Sequence, residues 1–246
     1  MNTGDGLNVR ANLSDPDRKR RLNERIFSII APRYALINRG LSFGRDQAWK
    51  RHLIAALPDM DAPCCVDLAC GTGDMTFLLA KRYPGGKILG IDLTEAMLVR
   101  AREANRVAHV EFRQGDMAAT GLPDASMDIV TGGYALRNAA ELVSALREIR
   151  RILKPGGVAA FLDFSKPPAG LRQRLQLGLL RFWGSLWGVM LHGEADVYAY
   201  IAESLRHFPD RIELGRMLGR EGLPTFSLRL FIAGIIECRM TRKASQ

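Results

Sequence analysis

The chain has 246 residues, 47% of them hydrophobic, a length that fits one large α/β domain with a small appended cap and enough apolar content for a full core. Its formal net charge of +9 admits an anionic partner, yet the basic residues are scattered over helical stretches and no series of base-stacking aromatics accompanies them, which argues against nucleic acid. Cys64, Cys65, Cys70 and Cys238 show no paired ligand spacing, so no metal site is expected. They read as small buried apolar residues in a reduced, cytoplasmic setting, and the polar N-terminus lacks a signal-peptide core.

Residues 1 to about 20 are polar and read as a flexible leader, its run Arg18-Lys19-Arg20-Arg21 a solvated helix start. Residues 21–57 read as helical with a break near Asn38-Arg39-Gly40. Strand signals then recur at 65–68, 87–91, 110–114, 127–131 and 158–163, with helical patterns at 74–81, 95–105 and 139–153 between them. Strand and helix alternate, which predicts right-handed crossovers and a mostly parallel, twisted sheet. Lys154-Pro155-Gly156-Gly157 reads as a helix stop and turn. Residues 168–207 differ in character. Their apolar, aromatic-rich core at 171–191 carries Arg172, Arg174 and Arg181, too short and too charged to span a bilayer. It reads as a helix packed on the domain, a cap over a greasy pocket, or a segment resting on a membrane surface. Residues 225–242 alternate enough for one or two closing strands.

The chemistry concentrates at the strand ends. Val66-Asp67-Leu68-Ala69-Cys70-Gly71-Thr72-Gly73-Asp74 reads as an apolar strand running into a Gly-x-Gly turn and a helix. Ile88-Leu89-Gly90-Ile91-Asp92 reads as the next strand, ending in a carboxylate that can take ribose hydroxyls. The third glycine of a dinucleotide site is missing, no Walker lysine follows, and Asp74 beside the turn would repel a phosphate. A cationic or zwitterionic nucleoside fits better, which favours S-adenosylmethionine. At the third strand end, Asp116 can accept from an exocyclic amine and Met117 can pack on an adenine ring. The fourth strand ends in Gly132-Gly133-Tyr134-Ala135-Leu136-Arg137-Asn138, without the proline-rich turn of amine methylation on DNA bases.

These stretches resemble the ubiquinone/menaquinone biosynthesis C-methyltransferase family, within the class I S-adenosylmethionine-dependent methyltransferases. The resemblance rests on Arg33 to Asn38 with Leu41-Ser42-Phe43-Gly44 and Trp49-Lys50-Arg51, on Asp67 to Asp74, and on Asp92 to Leu98. It continues through Ala135 to Asn138, Leu153 to Gly157, Phe164-Ser165-Lys166-Pro167, Tyr200 to Ser204 and Pro209-Asp210. It covers most of the chain from about residue 25 onward. It implies a Rossmann-like α/β fold: a mostly parallel seven-stranded sheet flanked by helices, in one methyltransferase domain over 21–246, with 168–207 inserted as a helical cap. It departs from the family at Ala35, where Asp is usual, at Cys70, where Gly is common, at Gly133, where Ser is usual, and at Tyr134-Ala135, where Phe-Gly is usual.

The expected cofactor contacts are Asp67, Gly71, Thr72, Gly73, Asp92, Leu93, Asp116, Met117 and Gly133. The expected reaction is attack by a carbon of a quinol-type aromatic ring on the sulfonium methyl. Orientation and phenolate stabilisation carry the catalysis. Arg137 stays protonated and so can hold a phenolate or polarise a water but cannot act as a base. Tyr34 can position that water. His52 and His192 read as structural or exposed. The partner is then a hydrophobic aromatic small molecule, with peripheral membrane contact and a homodimer left open. Two alternatives stand beside this reading: methylation at C, O or N of a specialised natural product, and an S-adenosylmethionine-binding protein with altered chemistry.

Overall fold

The computed structural model describes residues 15–192 and 196–244. Its helices are α1 Pro16–Ile30, α2 Tyr34–Leu41, α3 Asp46–Ala55, α4 Asp74–Arg82, α5 Glu95–Ala104, α6 Leu142–Ile152, α7 Leu171–His192, α8 Asp196–His207 and α9 Arg211–Arg220. Its strands are β1 Cys64–Leu68, β2 Lys87–Asp92, β3 Val110–Gln114, β4 Met127–Gly133, β5 Leu153–Phe164, β6 Thr225–Phe231 and β7 Ile236–Arg242. One seven-stranded sheet runs in the order β3-β2-β1-β4-β5-β7-β6. The first five strands pair in parallel, and β7 runs antiparallel to both β5 and β6. The expected Rossmann-like architecture is therefore the one observed.

Alternation along the strands sends side chains to two cores. Cys65, Ile129, Val158, Ala160 and Leu162 pack with Trp49, Leu53 and Leu79 of α3 and α4 on one face. Val66, Leu68, Val130, Ala159 and Phe161 pack with Leu146, Ile149 and Leu218 of α6 and α9 on the other. A parallel sheet needs both faces covered, and its strands read as apolar runs for that reason. Helix starts are capped by acids: Glu141 accepts from the amides of Val143 and Ser144, and Asp210 from those of Ile212 and Glu213. A third, smaller core lies at the C-terminal strand ends, where Ile26, Ile30 and Ile37 meet Met97 and Tyr200. Strand order reverses between β1 and β4, which opens a crevice at that end.

Three boundaries differ from the sequence reading. Residues 1–14 of the expected leader lie outside the described residues, but 16–20 are helix, because Asp15 caps α1 by accepting from the Arg18 amide at 2.8 Å and Pro16 suits the first turn. The break in the N-terminal helices falls at Ala31–Arg33 and again after Leu41, whereas Asn38-Arg39-Gly40 is helical. At β5, Leu153 already pairs with Met127, and Lys154 to Gly157 form a bulge before Val158 rejoins at Ile129. The Gly156 amide and Gly157 carbonyl are held there by Lys243, so the turn chemistry was absorbed into the strand. The segment expected to cap the domain is helical at 171–192 and 196–207, and 225–242 supplies both closing strands. Among the described residues no helix is long and apolar enough to cross a membrane.

Candidate active site

After β1 the backbone turns through left-handed conformations at Ala69 (φ 51), Gly71 (φ 57) and Gly73 (φ 87). Gly73 caps α4, and a Cβ there would stand 2.9 Å from Phe77 and 3.0 Å from Phe112. Glycine is thus required twice over, by φ and by space. Asp92, buried at the end of β2, accepts at 2.8 Å from the Gly71 amide and at 2.8 Å from the Thr94 amide. Burial raises its pKa against the pull of those amides. A carboxylate offers about four acceptor positions, so the two bonds hold it in place without exhausting it. Gly71, Asp92, Leu93, Asp116, Met117 and Gly133 line one recess, with the rings of Phe27 and Tyr34 above it. Asp116 is anchored by the Ala118 amide at 2.8 Å and faces Arg20 of α1 at 3.0 Å. Acceptors for hydroxyls and an amine, beside apolar surface for a flat ring, suit an adenosyl group.

A smaller recess adjoins it at Asp67, Thr72, Asp74 and Gly133. Asp67 is fully buried, and its two oxygens take the hydroxyls of Thr76 at 2.7 Å and Thr131 at 2.8 Å. Burial lifts its carboxyl to about 6, against those hydroxyls. Asp67 thus ties β1 to α4 and β4. Asp74, read from sequence as a carboxylate that would repel a phosphate, is paired: its Oδ2 accepts from Lys50 at 2.8 Å and from Gln47 at 3.0 Å. Lys50 also meets Asp46 at 2.7 Å. Burial works against the Lys50 charge, but Asp46, Asp74 and Tyr34 outweigh it and keep its pKa above the ordinary value. The pair offers a cation and an anion side by side, the complement of an amino-acid zwitterion. At Gly133 a Cβ would stand 2.7 Å from the Met75 sulfur.

A third and larger space, a cavity of about 280 Å³, is walled mainly by apolar side chains such as Ile26, Ile30, Ile37, Phe164 and Trp183. Arg137 reaches it from the turn after β4. Its Nε lies 3.2 Å from Asp163, and its Nη1 donates to Asn138 and to Ser204, each at 3.1 Å. The guanidinium also sits over the Phe164 ring at 5.4 Å. Burial raises the Asp163 carboxyl to about 6, although Arg137 pulls it down. Tyr34 and Tyr134 line all three spaces. Burial raises both phenols, so they remain protonated donors. Tyr134 holds a left-handed φ of 57 and donates to Asp46 at 2.8 Å. Such backbone strain in a bulky residue costs about 1–3 kcal/mol and marks functional turns.

The expected site residues therefore fall on one crevice, with two qualifications. Gly73 shapes the turn without lining a recess, and Asp67 is occupied by threonines. His52 meets Arg229 and Phe231 and lines none of the three spaces, and the His192 side chain lies outside the described residues. Sequence reading missed Lys50, Asp46, Asn23, Tyr200 and Trp183. Tyr200 donates its one hydroxyl proton between the Oδ1 atoms of Asn23, the nearer, and Asn138 at 3.0 Å. The Trp183 ring lines the cavity, and its buried indole N–H has no hydrogen-bond partner among the described residues. Lys19 on α1 is lowered to about 8 by burial and by the Arg137 charge.

Comparisons with known proteins agree with this geometry. The family profile described as the ubiE/COQ5 methyltransferase family matches residues 16–243. A demethylmenaquinone methyltransferase of Thermus thermophilus is 38% identical over 210 residues, covering 83% of this chain and 92% of that protein. A 2-phytyl-1,4-naphtoquinone methyltransferase of Thermosynechococcus vestitus is 33% identical over 220 residues, covering 89% and 97%. Among solved structures, a putative methyltransferase in complex with the Haloferax volcanii Trm112 activator superposes with a TM-score of 0.66 at 17% identity, over 89% of this chain and 97% of that one. Geranyl diphosphate C-methyltransferase from Streptomyces coelicolor gives 0.59 at 16% identity, over 80% and 79%. A profile that spans nearly the whole chain and relatives above 30% identity agree with a crevice whose acceptors suit an adenosyl group: the chain belongs to the ubiE/COQ5 methyltransferase family and is an S-adenosylmethionine-dependent methyltransferase.

Proposed function

We propose that the protein methylates a ring carbon of a reduced, quinol-type aromatic, and that Arg137 binds the ring oxygen as it becomes a phenolate. The observation that carries this reading is the contact between the two compartments. An apolar cavity of about 280 Å³ with one buried guanidinium in its wall meets the adenosyl recess at Tyr34 and Tyr134. A cavity of this size, near the lower end of small-ligand pockets, takes an aromatic head group and little more. The names of the relatives, demethylmenaquinone and phytyl-naphthoquinone methyltransferases, support the same acceptor class.

S-adenosylmethionine supplies an electrophilic sulfonium methyl. The chain's own residues do the rest. Asp92 receives ribose hydroxyls, Asp116 an exocyclic amine, and Met117 and Leu93 pack on the ring. Lys50 and Asp74 receive the carboxylate and ammonium of the methionine end. Thr72, Gly71 and Gly133 leave backbone open to it, while Asp67 and Gly73 hold the turn in shape. Arg20, Phe27 and Tyr34 reach over the adenosyl recess and leave about 60 Å³ free, so these side chains move outward to admit the cofactor. On the acceptor side Arg137 stabilises developing negative charge in a water-poor site, where such an interaction is strong. The Trp183 N–H donates to a second ring oxygen. Tyr34, kept neutral, donates to the acceptor oxygen or to a water beside it. With the cofactor bound, the ring carbon would take the methyl as S-adenosylhomocysteine leaves; the phenol proton would pass to water and the ring-carbon proton would return through water to the ring oxygen, for a net release of one proton.

The test is mass spectrometry after incubating the protein with S-adenosylmethionine and reduced short-tail demethylated quinols. A product with one added carbon-bound methyl, formed with S-adenosylhomocysteine, is expected. Cofactor binding with no quinol product would turn the reading towards a different aromatic acceptor.

A further inference from the structure

The long helix α7 is two-faced in an unusual way. Gln176, Leu177 and Gly184 are buried, and Leu180 is half-buried. On the opposite side Leu171, Leu175, Leu179, Phe182 and Leu186 are all exposed, Leu171 by 72% and Phe182 by 68%. At 3.6 residues per turn these five fall on one stripe. Arg172 flanks the stripe on one side, Arg174 and Arg181 on the other, and all three are exposed. Phe43, 67% exposed, continues the patch from the turn after α2 and stacks on Trp183 with ring centroids 5.1 Å apart. A contiguous apolar patch of this kind on a folded protein marks an interaction surface.

Two observations identify what covers it. First, residues 29–45 and 164–192, which supply the described part of this face around α2 and α7, contain no Asp or Glu but hold Arg33, Arg39, Arg45, Arg172, Arg174 and Arg181. An apolar stripe between arginines complements the headgroups and acyl boundary of an anionic bilayer. Second, the acceptor cavity opens here. Phe43, Leu179 and Ile232 are exposed and also line it. We propose that the α7 stripe and Phe43 dock on an anionic membrane surface, so that the cavity mouth faces the bilayer. The ring enters from the lipid, and its tail stays in the bilayer because the cavity has no room for it. No helix among the described residues crosses a membrane, so the contact lies in the interface plane. Delivery of the acceptor from the bilayer rests on the quinol reading above; docking does not.

Co-sedimentation of the full chain with phosphatidylcholine vesicles, with and without phosphatidylglycerol, tests this. The protein is expected to sediment with the anionic vesicles, less so at high salt. Phe182→Asp and Leu175→Asp, at exposed positions outside the cavity wall, are expected to lower that partitioning about tenfold or more while melting temperature and cofactor affinity hold. Turnover on a tail-less quinol should be unchanged in both variants, and turnover on a long-tail quinol presented in vesicles should fall with the partitioning. Wild-type protein that ignores both vesicle types, or variants that sediment like wild type, would overturn the proposal. So would a lipid-independent dimer that the variants dissociate, since the face then belongs to a second copy. Vesicle binding by a protein that methylates no quinol would support docking and count against the acceptor reading alone.

Discussion

The Cβ that Gly133 lacks would stand 2.7 Å from the Sδ of Met75, a buried residue in the first turn of α4. A side chain at residue 133 therefore fits between the end of β4 and the start of α4 only if the flexible Met75 thioether moves aside. The serine common in the family would push on that sulfur, and the long thioether fills the space that a serine would take.

Gly133→Ser should accordingly cost about 1–3 kcal/mol of stability, the usual cost of overpacking, and should weaken cofactor binding in the recess that both residues line. Adding Met75→Ala should recover part of both losses. A double-mutant cycle of melting and cofactor titrations measures the coupling, and strict additivity would show that the two residues act independently.

Asp92→Ala removes the acceptor that holds the Gly71 amide as well as the proposed ribose contact. Loss of hydrogen bonds to a charged group at about 1.5–3 kcal/mol predicts a 10- to 100-fold rise in Kd for S-adenosylmethionine. Titration calorimetry reads it directly, and an unchanged Kd would remove the ribose role.

Arg137→Ala should abolish most turnover while cofactor affinity holds, because Arg137 lines the acceptor cavity and not the adenosyl recess. It also strands the buried Asp163, a loss of about 3–5 kcal/mol for an uncompensated charge. Arg137→Ala with Asp163→Asn should regain stability but not activity. If the double variant turns over normally, Arg137 has no part in the reaction.

Asp67 gives a pH signature. Its folded pKa of about 6 lies above the ordinary carboxylate value of about 3.9, so between those two pH values the folded protein binds more protons than the unfolded chain. Stability then falls as pH rises through that window, by about 3 kcal/mol for two pKa units. Asp67→Asn should flatten that part of the profile in denaturant titrations between pH 4 and 7, provided the threonine bonds survive. An unchanged slope would assign it elsewhere, with Asp163, also near 6, the next group to replace.

Trp183→Phe keeps the stack on Phe43 but deletes the unpartnered N–H. The Michaelis constant for the acceptor should rise several-fold, as expected for one hydrogen bond worth about 1 kcal/mol, with cofactor affinity constant. Steady-state kinetics with each substrate varied in turn separates the two.

The sequence by itself determined the parts of this protein that are local. Apolar runs, the Gly71 and Gly73 turn and the acids at the ends of β2 and β3 can be read because each depends on neighbours within a few residues, and a parallel sheet brings its strand ends to one edge. The same logic misplaced the start of α1 and the start of β5. Asp15 and Pro16 cap a helix inside a stretch too polar to look structured, and β5 captures the turn at Gly156 and Gly157 by pairing with Lys243.

Only the tertiary structure decided which side chains share the acceptor cavity and how its charges are balanced. Asn23 and Tyr200 stand 177 positions apart and meet in one hydrogen bond. Lys50 finds Asp74 across 24 positions, and Tyr134 finds Asp46 across 88. No periodicity records such pairs, because they are made by packing α1 to α3 and α7 to α8 over the sheet edge. Burial then sets the chemistry: it keeps Tyr34 and Tyr134 protonated and lifts Asp67 and Asp163 to about 6, while Lys50, brought in by α3, makes Asp74 half of an ion pair.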